Sequence, residues 1–432
     1  KYIAPIGADD YFQPVPLMQN TPPKEATMTF NGQDYLYNQD FILMNGNAGV
    51  LKGEVIFAGH GWINEETGHN DYANLDVVGK VVIVLPGPPD ASDPATIFRA
   101  MKWKQKFALE RGAAALFELH RIQFPWAFFR NYFSKPSIAL YDEDEGTGSQ
   151  TDGLTYGWIK EKETFDPAVI NGVEVAITHS GALKQVLKSH NVIGILEGTD
   201  PILKKEYILL TAHFDHVGTG KDGGGAFTEE DSIFNGARDN AMGTVALLAA
   251  AKSFSKKPTK RSVIILAITG EEVGLLGSQY YASQPLVPLE NTIFNLNTDG
   301  AGYNDITKVS MLGFGRTGTD QELENAAAAA GLSIIADPAP EQGLFDRSDN
   351  VSFARMGVPA LTLSPGFQSF DAEIQKYYHQ VTDEADSIDF EYLYKYCKVF
   401  VEAARNIANM ETLPFWKEGD KYEQSGKDLY KR

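Results

Sequence analysis

"SVIILAITGEEVG" occupies Ser262–Gly274. Its first eight residues form a short apolar run bounded by a glycine, the pattern of a strand buried in the core. The run stops at Gly270, and Glu271 and Glu272 follow at once. A core strand that brings two adjacent carboxylates to one place raises the question of what balances their charge.

Working outward, strand and helix patterns alternate. "NVIGILEG" (Asn191–Gly198), "EYILLTAH" (Glu206–His213), "TIFNLNTDG" (Thr292–Gly300), "KVSMLGFG" (Lys308–Gly315) and "VPALTLSPG" (Val358–Gly366) read as strands. "AMGTVALLAAAKSF" (Ala241–Phe254), "GLLGSQYYASQ" (Gly274–Gln284), "DQELENAAAAAG" (Asp320–Gly331) and a long stretch from about Phe390 to Met410 read as helices. The alternation predicts an α/β fold, a three-layer sandwich around a mostly parallel mixed sheet, over residues 188–432. Ahead of it, "DVVGKVVIVLPGPP" (Asp76–Pro89), "ATIFRAMKWKQKFALERG" (Ala95–Gly112) and "AAALFEL" (Ala113–Leu119) give a strand–helix–strand unit. Residues 46–187 are therefore expected to be a smaller, β-rich α/β inserted domain. Residues 1–45, Pro-rich and aromatic with no strong period, are expected to be a segment packing on the domain of residues 188–432.

The chain has 432 residues, 43% hydrophobic and 22% charged, ordinary for a globular protein large enough for two or three domains. With 57 acids against 38 bases the net charge is −19, which argues against nucleic acid and anionic membranes as partners. No apolar run reaches the roughly 18 residues that span a bilayer. The lone cysteine, Cys397, makes no intrachain disulfide and reads as a packing residue. The first residue is Lys1, which fits a removed secretion signal or a trimmed chain.

In open α/β sheets ligands bind beyond the carboxyl ends of the strands. There this sequence puts His213, Asp215 and His216 of "HFDH", Glu271 with Glu272, and Asp299. Asp239 sits in "NGARDNAMG" just before a helix, and "YYHQVTDEAD" supplies Tyr378, His379 and Asp383. Imidazole with carboxylate is a zinc ligand set. Two cations about 3.5–4 Å apart need a bridging carboxylate. Without them Asp239, Glu271, Glu272 and Asp299 repel one another. Two divalent cations against three carboxylates leave one positive charge for a bound hydroxide, and one glutamate stays free as a general base. One glutamate of the pair holds metal, and its neighbour moves a proton.

In this order, "TAHFDHVG", "NGARDNAMG", "TGEEVGLLGS", "NLNTDGAG" and "YYHQVTDEAD" resemble the blocks of the co-catalytic zinc aminopeptidases of the bacterial secreted leucine-aminopeptidase type, over roughly Asn191–Met410. That family also holds glutamate-carboxypeptidase-like enzymes, animal-type glutaminyl cyclases and the non-enzymatic transferrin receptors. The resemblance implies two zinc ions per chain. His213, Asp239 and Asp299 would hold one. Asp239 would bridge to the other, held also by Glu272 and His379. Glu271 would be the general base, and Asp215 would orient His213 from behind. Tyr378 would stabilise the oxyanion and Arg347, in "DRSDNVSF", would bind substrate. A cis peptide at Asp239–Asn240 is also implied. The activity expected is hydrolysis of the N-terminal bond of peptides by a zinc-held hydroxide. A secreted, periplasmic or cell-envelope location in a bacterium goes with it. The preceding stretch resembles a protease-associated domain, which this family often carries ahead of its core, and it is expected to cover the cleft and restrict substrates to short peptides.

Other readings compete. Carboxypeptidase or dipeptidase specificity depends on the loops Gly218–Asp231 and Ser364–Tyr378. "GFGRTG" (Gly313–Gly318), with Asp337 further on, fits a dinucleotide-binding fingerprint and would make an oxidoreductase. The fingerprint normally opens the first βαβ unit of its domain, and zinc chemistry accounts for more residues. A receptor-like relative would lack ligands, and a glutaminyl cyclase would lack the first histidine, but His213 is present. His60, His69, His120, His179 and His190 lie in or beside the inserted domain and read as packing or surface residues.

Overall fold

The computed structural model describes residues 4–5, 10–141, 153–161 and 170–431. The chain divides into two compact units, Lys1–Val15 with Lys188–Arg432, and Pro16–Leu187.

In the larger unit the apolar runs become strands β1 (Leu183–Leu196, its last residues), β2 (Tyr207–His213), β3 (Ser262–Ile268), β4 (Thr292–Thr298), β5 (Lys308–Leu312), β6 (Ser333–Ala336) and β7 (Ala360–Pro365). Their order across the sheet is β1-β3-β2-β4-β7-β5-β6. The centre, β3-β2-β4-β7, is parallel, while β1 joins β3 and β5 joins β7 antiparallel. The sheet is thus mixed and mostly parallel. β2, β4 and β7 are buried almost throughout, as strands covered on both faces must be.

The crossovers are helices α1 (Met242–Lys256), α2 (Leu276–Ser283), α3 (Asp320–Ala329) and α4 (Asn350–Arg355), and the chain returns through α5 (Phe390–Asn409). Asp389 starts α5, its carboxylate accepting the N–H groups of Glu391 and Tyr392. Tyr392, Tyr396, Val399, Phe400, Ala403 and Ile407 recur at helical spacing and bury one face of α5 in the core. At about 25 cal/mol per Å² of apolar surface removed from water, such a stripe holds the helix in place better than propensity does.

The smaller unit is a second, eight-stranded sheet in the order Gln33–Tyr35, Ala26–Phe30, Glu174–His179, Gly49–Phe57, Val81–Val84, Ala115–Leu119, Thr155–Ile159, Phe41–Asn45. Helix Pro94–Glu110 links Val81–Val84 to Ala115–Leu119, capped by Asp93, whose carboxylate accepts the Thr96 N–H at 2.8 Å. Three of this sheet's strands come from residues 26–45, which the sequence reading places in a segment of the other unit. The expected lack of a period there is also corrected. Phe12–Thr21 is a strand in which Gln13, Val15 and Leu17 point inward and alternate with Pro14 and Pro16. Proline hides such a strand because it lacks an N–H and lowers strand propensity, while the alternation survives.

Among the described residues no helix is long and apolar enough to cross a membrane.

Candidate metal centre and active site

Parallel register brings the ends of β2, β3 and β4 side by side, with His213 paired to Ile268 and Thr211 to Asn297. His213 is the last residue of β2 and only 1% exposed. Past β3, Gly270 turns the chain with φ +70° and presents Glu271 and Glu272. Past β4 comes Asp299. Asp239 lies in the turn that opens α1, where the Asp239–Asn240 peptide is cis. Asp383 secures this turn: its buried carboxylate accepts the N–H groups of Arg238 and Asp239 at 3.0–3.2 Å.

Asp239 stands between two histidines. Its Oδ1 is 3.3 Å from His213 Nε2, which is 3.1 Å from Asp299 Oδ1. Its Oδ2 is 3.3 Å from His379 Nε2, which is 3.2 Å from Glu272 Oε2. Five residues from five separate chain segments thus form two donor sets that share one carboxylate. The ligand atoms of His213, Glu271 and Asp299 lie within 4.8 Å of one another, as do those of His216, Asp239 and Glu272. A tetrahedral zinc with bonds of about 2.0–2.1 Å holds its ligand atoms about 3.3 Å apart. The imidazole–carboxylate spacings match that edge, and the donor chemistry is zinc's, so the residues fit the ions the sequence implied.

The electrostatics describe a cluster short of positive charge. Burial, then the Asp299 carboxylate, pushes Glu271 up to about 10. Burial opposes a charged His379, but the Asp239 and Glu272 carboxylates outweigh it and bring the ring to about 9. His213 is likewise raised despite its burial, by Asp299 and Asp239. Burial would raise Glu272, but the imidazoles of His216 and His379 bring it down to about 2. With no cation in place, protons on imidazole and on Glu271 do the neutralising.

An open cleft lies over the cluster. Asp239, Glu271, Glu272, Asp299 and His379 form its polar end. Leu312, Leu344, Phe367, Phe370 and Ile374 form an apolar wall. Arg347 and Tyr378 line it too, Tyr378 stacked on His379 with ring centroids 4.0 Å apart. Burial raises the Tyr378 hydroxyl well above its usual range, so it stays protonated.

The structure thus gathers all six expected ligand and base residues, and puts Tyr378 and Arg347 at the same cavity. Asp215 differs from expectation. Its backbone carbonyl, not its carboxylate, is the group 3.0 Å from His213 Nδ1; the carboxylate oxygen is 3.9 Å away. The carboxylate instead accepts the N–H groups of Glu271 and Glu272 at 3.2 and 3.3 Å, and so fixes the backbone of the glutamate pair.

Some supporting residues escaped the sequence reading. Ser348 donates to Asp299 Oδ2 at 2.5 Å and itself accepts from Asn297 Nδ2 at 2.8 Å. Asn297 Oδ1 accepts from Thr211 at 2.7 Å. This buried chain runs through the sheet to the Asp299 carboxylate. The signal for it was present: Asn295 and Asn297 are buried amides in an otherwise apolar strand, where each must find a partner. Asp349, next to Ser348, is fully buried, and burial pushes it up to about 7.

The glycine-rich turn Gly313–Gly318 is used structurally. Arg316 stacks on Phe345 at 4.1 Å and makes a two-pronged pair with Asp420 at 2.7 and 2.9 Å. Asp337 accepts the Ala339 N–H in its own loop.

Residues 191–404 match the model described as peptidase family M28. An aminopeptidase from Aneurinibacillus sp. strain AM-1 shares the fold, with TM-score 0.56 and 21% identity over 95% of this chain and 86% of that one. A zinc aminopeptidase from Bacillus subtilis has TM-score 0.44 and 19% identity over 95% and 87%. A vacuolar membrane protease of Saccharomyces cerevisiae is 36% identical over 115 residues, 27% of this chain and 10% of the yeast protein. The match thus spans about a tenth of the length of the curated relatives. With these imidazoles and carboxylates gathered at the strand ends of this mixed sheet, residues 191–404 belong to peptidase family M28.

Proposed function

We propose that this chain is a metallopeptidase, an aminopeptidase that removes the N-terminal residue of peptides, using two zinc ions and Glu271 as general base. The observation that carries the reading is the Asp239 carboxylate, one oxygen facing the His213–Asp299 set and the other the Glu272–His379 set, with Glu271 beside them. His213, Asp239 and Asp299 would hold one ion, and Asp239, Glu272 and His379 the other. Bound zinc supplies Lewis acidity, polarising a carbonyl and bringing the pKa of water toward about 7.

The chain's own groups do the rest. Glu271 takes a proton from the attacking water at a carboxylate oxygen and returns it to the leaving amine nitrogen, so one carboxyl serves as base and then acid. The protonated Tyr378 hydroxyl donates to the carbonyl oxygen as it gains negative charge, in a pocket where such a bond is strong. The acidic end of the cavity suits a free α-ammonium group. The apolar wall suits a non-polar N-terminal side chain. Arg347 at the cavity wall favours a second reading, in which a substrate carboxylate is bound and the enzyme acts as a carboxypeptidase or dipeptidase. We further infer that the smaller unit is a protease-associated-like domain, supported by its Val81–Val84, Pro94–Glu110, Ala115–Leu119 strand–helix–strand core.

A panel of aminoacyl-nitroanilides and N-blocked peptides, with and without chelator, tests the reading. Chelator-sensitive cleavage of free N-termini is expected. Cleavage of blocked peptides alone would move the assignment to carboxypeptidase.

A further inference from the structure

His216 stands three residues past His213 in the same strand-end loop, with its side chain 9% exposed. Its Nδ1 lies 2.9 Å from Glu272 Oε1, and the ring meets His379 edge-on with centroids 5.6 Å apart. Neither His216 nitrogen, nor Glu272 Oε1, has an aligned hydrogen-bond partner among the described residues. The other Glu272 oxygen, Oε2, faces His379 and the second donor set. The fold makes room for this ring. Gly236, with φ +64°, lies under it, and a Cβ there would come within 2.6 Å of His216 Cγ.

We propose that His216 is a positioning residue for the second ion: its Nδ1–H holds Glu272 Oε1, so that Oε2 is presented beside Asp239 Oδ2 and His379. This inference rests on the reading of the cluster as a two-ion centre. Once the two groups align, donation from Nδ1 would satisfy two buried polar atoms at once, and leaving both orphaned in this site would be costly. It also removes the rotational freedom of a long carboxylate before the ion arrives. Groups that orient a ligand in this way typically change metal affinity 10- to 100-fold when removed. Glu272 is the ligand that needs such support: it sits in a turn, its backbone N–H is held by Asp215, and among the described residues its side chain faces these two imidazoles and no other donor.

The test is stepwise cobalt and zinc titration of the full chain, reading metal per chain and the visible absorption of the cobalt form, for wild type, His216→Phe and His216→Asn. The Phe variant keeps the shape without the donor, and Asn restores a donor nitrogen near the Nδ1 position. The expected result is normal binding of the first ion in all three, with the second about 10- to 100-fold weaker in His216→Phe and largely recovered in His216→Asn. Wild-type affinity for both ions in the Phe variant would overturn the proposal. So would an Asn variant as defective as Phe, which would make His216 a direct ligand. A wild-type chain that binds no divalent ion at all would overturn the metal centre itself, and this inference with it.

Discussion

The larger and smaller units both bury charge, and they do it in opposite ways. In the smaller unit Lys104 and Glu118 are each 0% exposed and bonded to one another. Lys104 also donates to the Leu85 carbonyl at 2.6 Å, and Glu118 accepts from Tyr156 at 2.7 Å, which accepts from Trp158 at 3.0 Å. One cation meets one anion, and each polar atom of the set has a partner. In the larger unit four carboxylates crowd around His213 and His379, with orphaned atoms on His216 and Glu272 and Glu271 driven toward its neutral form. Burial of charge does not distinguish a structural cluster from a functional one; closure does. A closed set is finished when the chain folds, whereas an open one is finished by something that arrives later.

Removing that arrival is the most severe way to sharpen the contrast. Dialysis against chelator should abolish peptide hydrolysis, and zinc should restore it. Thermal unfolding should fall as well, because a ligand at about 1,000 times its dissociation constant contributes about 4 kcal/mol. Undiminished turnover in chelated, metal-free protein would dissolve the distinction.

Next in size is Glu271→Gln. The amide keeps the shape but cannot take a proton, so turnover should drop by about 10²–10⁴ with metal content unchanged. Metal analysis alongside kinetics decides it. If this variant loses its zinc, Glu271 is a ligand and its role has been exchanged with that of Glu272.

The closed cluster is broken from the other side. Lys104→Met leaves Glu118 buried without its cation, and removing one partner of such a pair costs about 3–5 kcal/mol. Adding Glu118→Gln removes the charge while keeping an acceptor for Tyr156, so the double variant should recover part of that loss. Denaturant unfolding of the two singles and the double gives a coupling energy; additive effects would mean the pair is no unit. Zinc content should be unaffected throughout.

The two clusters also differed in how far the chain announced them. Parallel strands end together, so residues after "YILLTA", "VIILAIT" and "IFNLNT" could be placed at one rim without knowing any contact. Lys104 gave no such notice: within "MKWKQK" it reads as part of a solvated helix face, and Glu118 in "ALFEL" as an interruption of a strand. Their meeting depends on how helix Pro94–Glu110 crosses Ala115–Leu119, which is set by packing rather than local pattern. The same limit explains Asp215, whose carbonyl rather than its carboxylate lies against His213, and Ser348, whose contact with Asp299 joins segments 49 positions apart.

The smallest effect is a proton count, and it tests openness directly. In the metal-free cluster His379 titrates at about 9, against 6.5 for a free imidazole, and Glu271 at about 10, against 4.5. Both are raised, so the stabilisation that goes with holding their protons is fully present below the unfolded values. It is lost as pH climbs through about 9 and 10. Metal-free protein should therefore lose stability progressively from about pH 4.5, where unfolded Glu271 begins to ionise, to about pH 10, while zinc-loaded protein, whose charge is balanced by the ions, should not follow it. A nitrogen that ligates zinc must give up its proton, so uptake at pH 7 should release about one proton each from His379 and His213, with more if Glu271 ionises as the cations enter. Affinity should then rise about tenfold per pH unit for each proton released, levelling off above about pH 9. Calorimetric titration with zinc in two buffers of different ionisation enthalpy measures the count. Equal heats in both would mean that no proton leaves, that the imidazoles were already neutral among the carboxylates, and that the cluster was closed before any ion reached it.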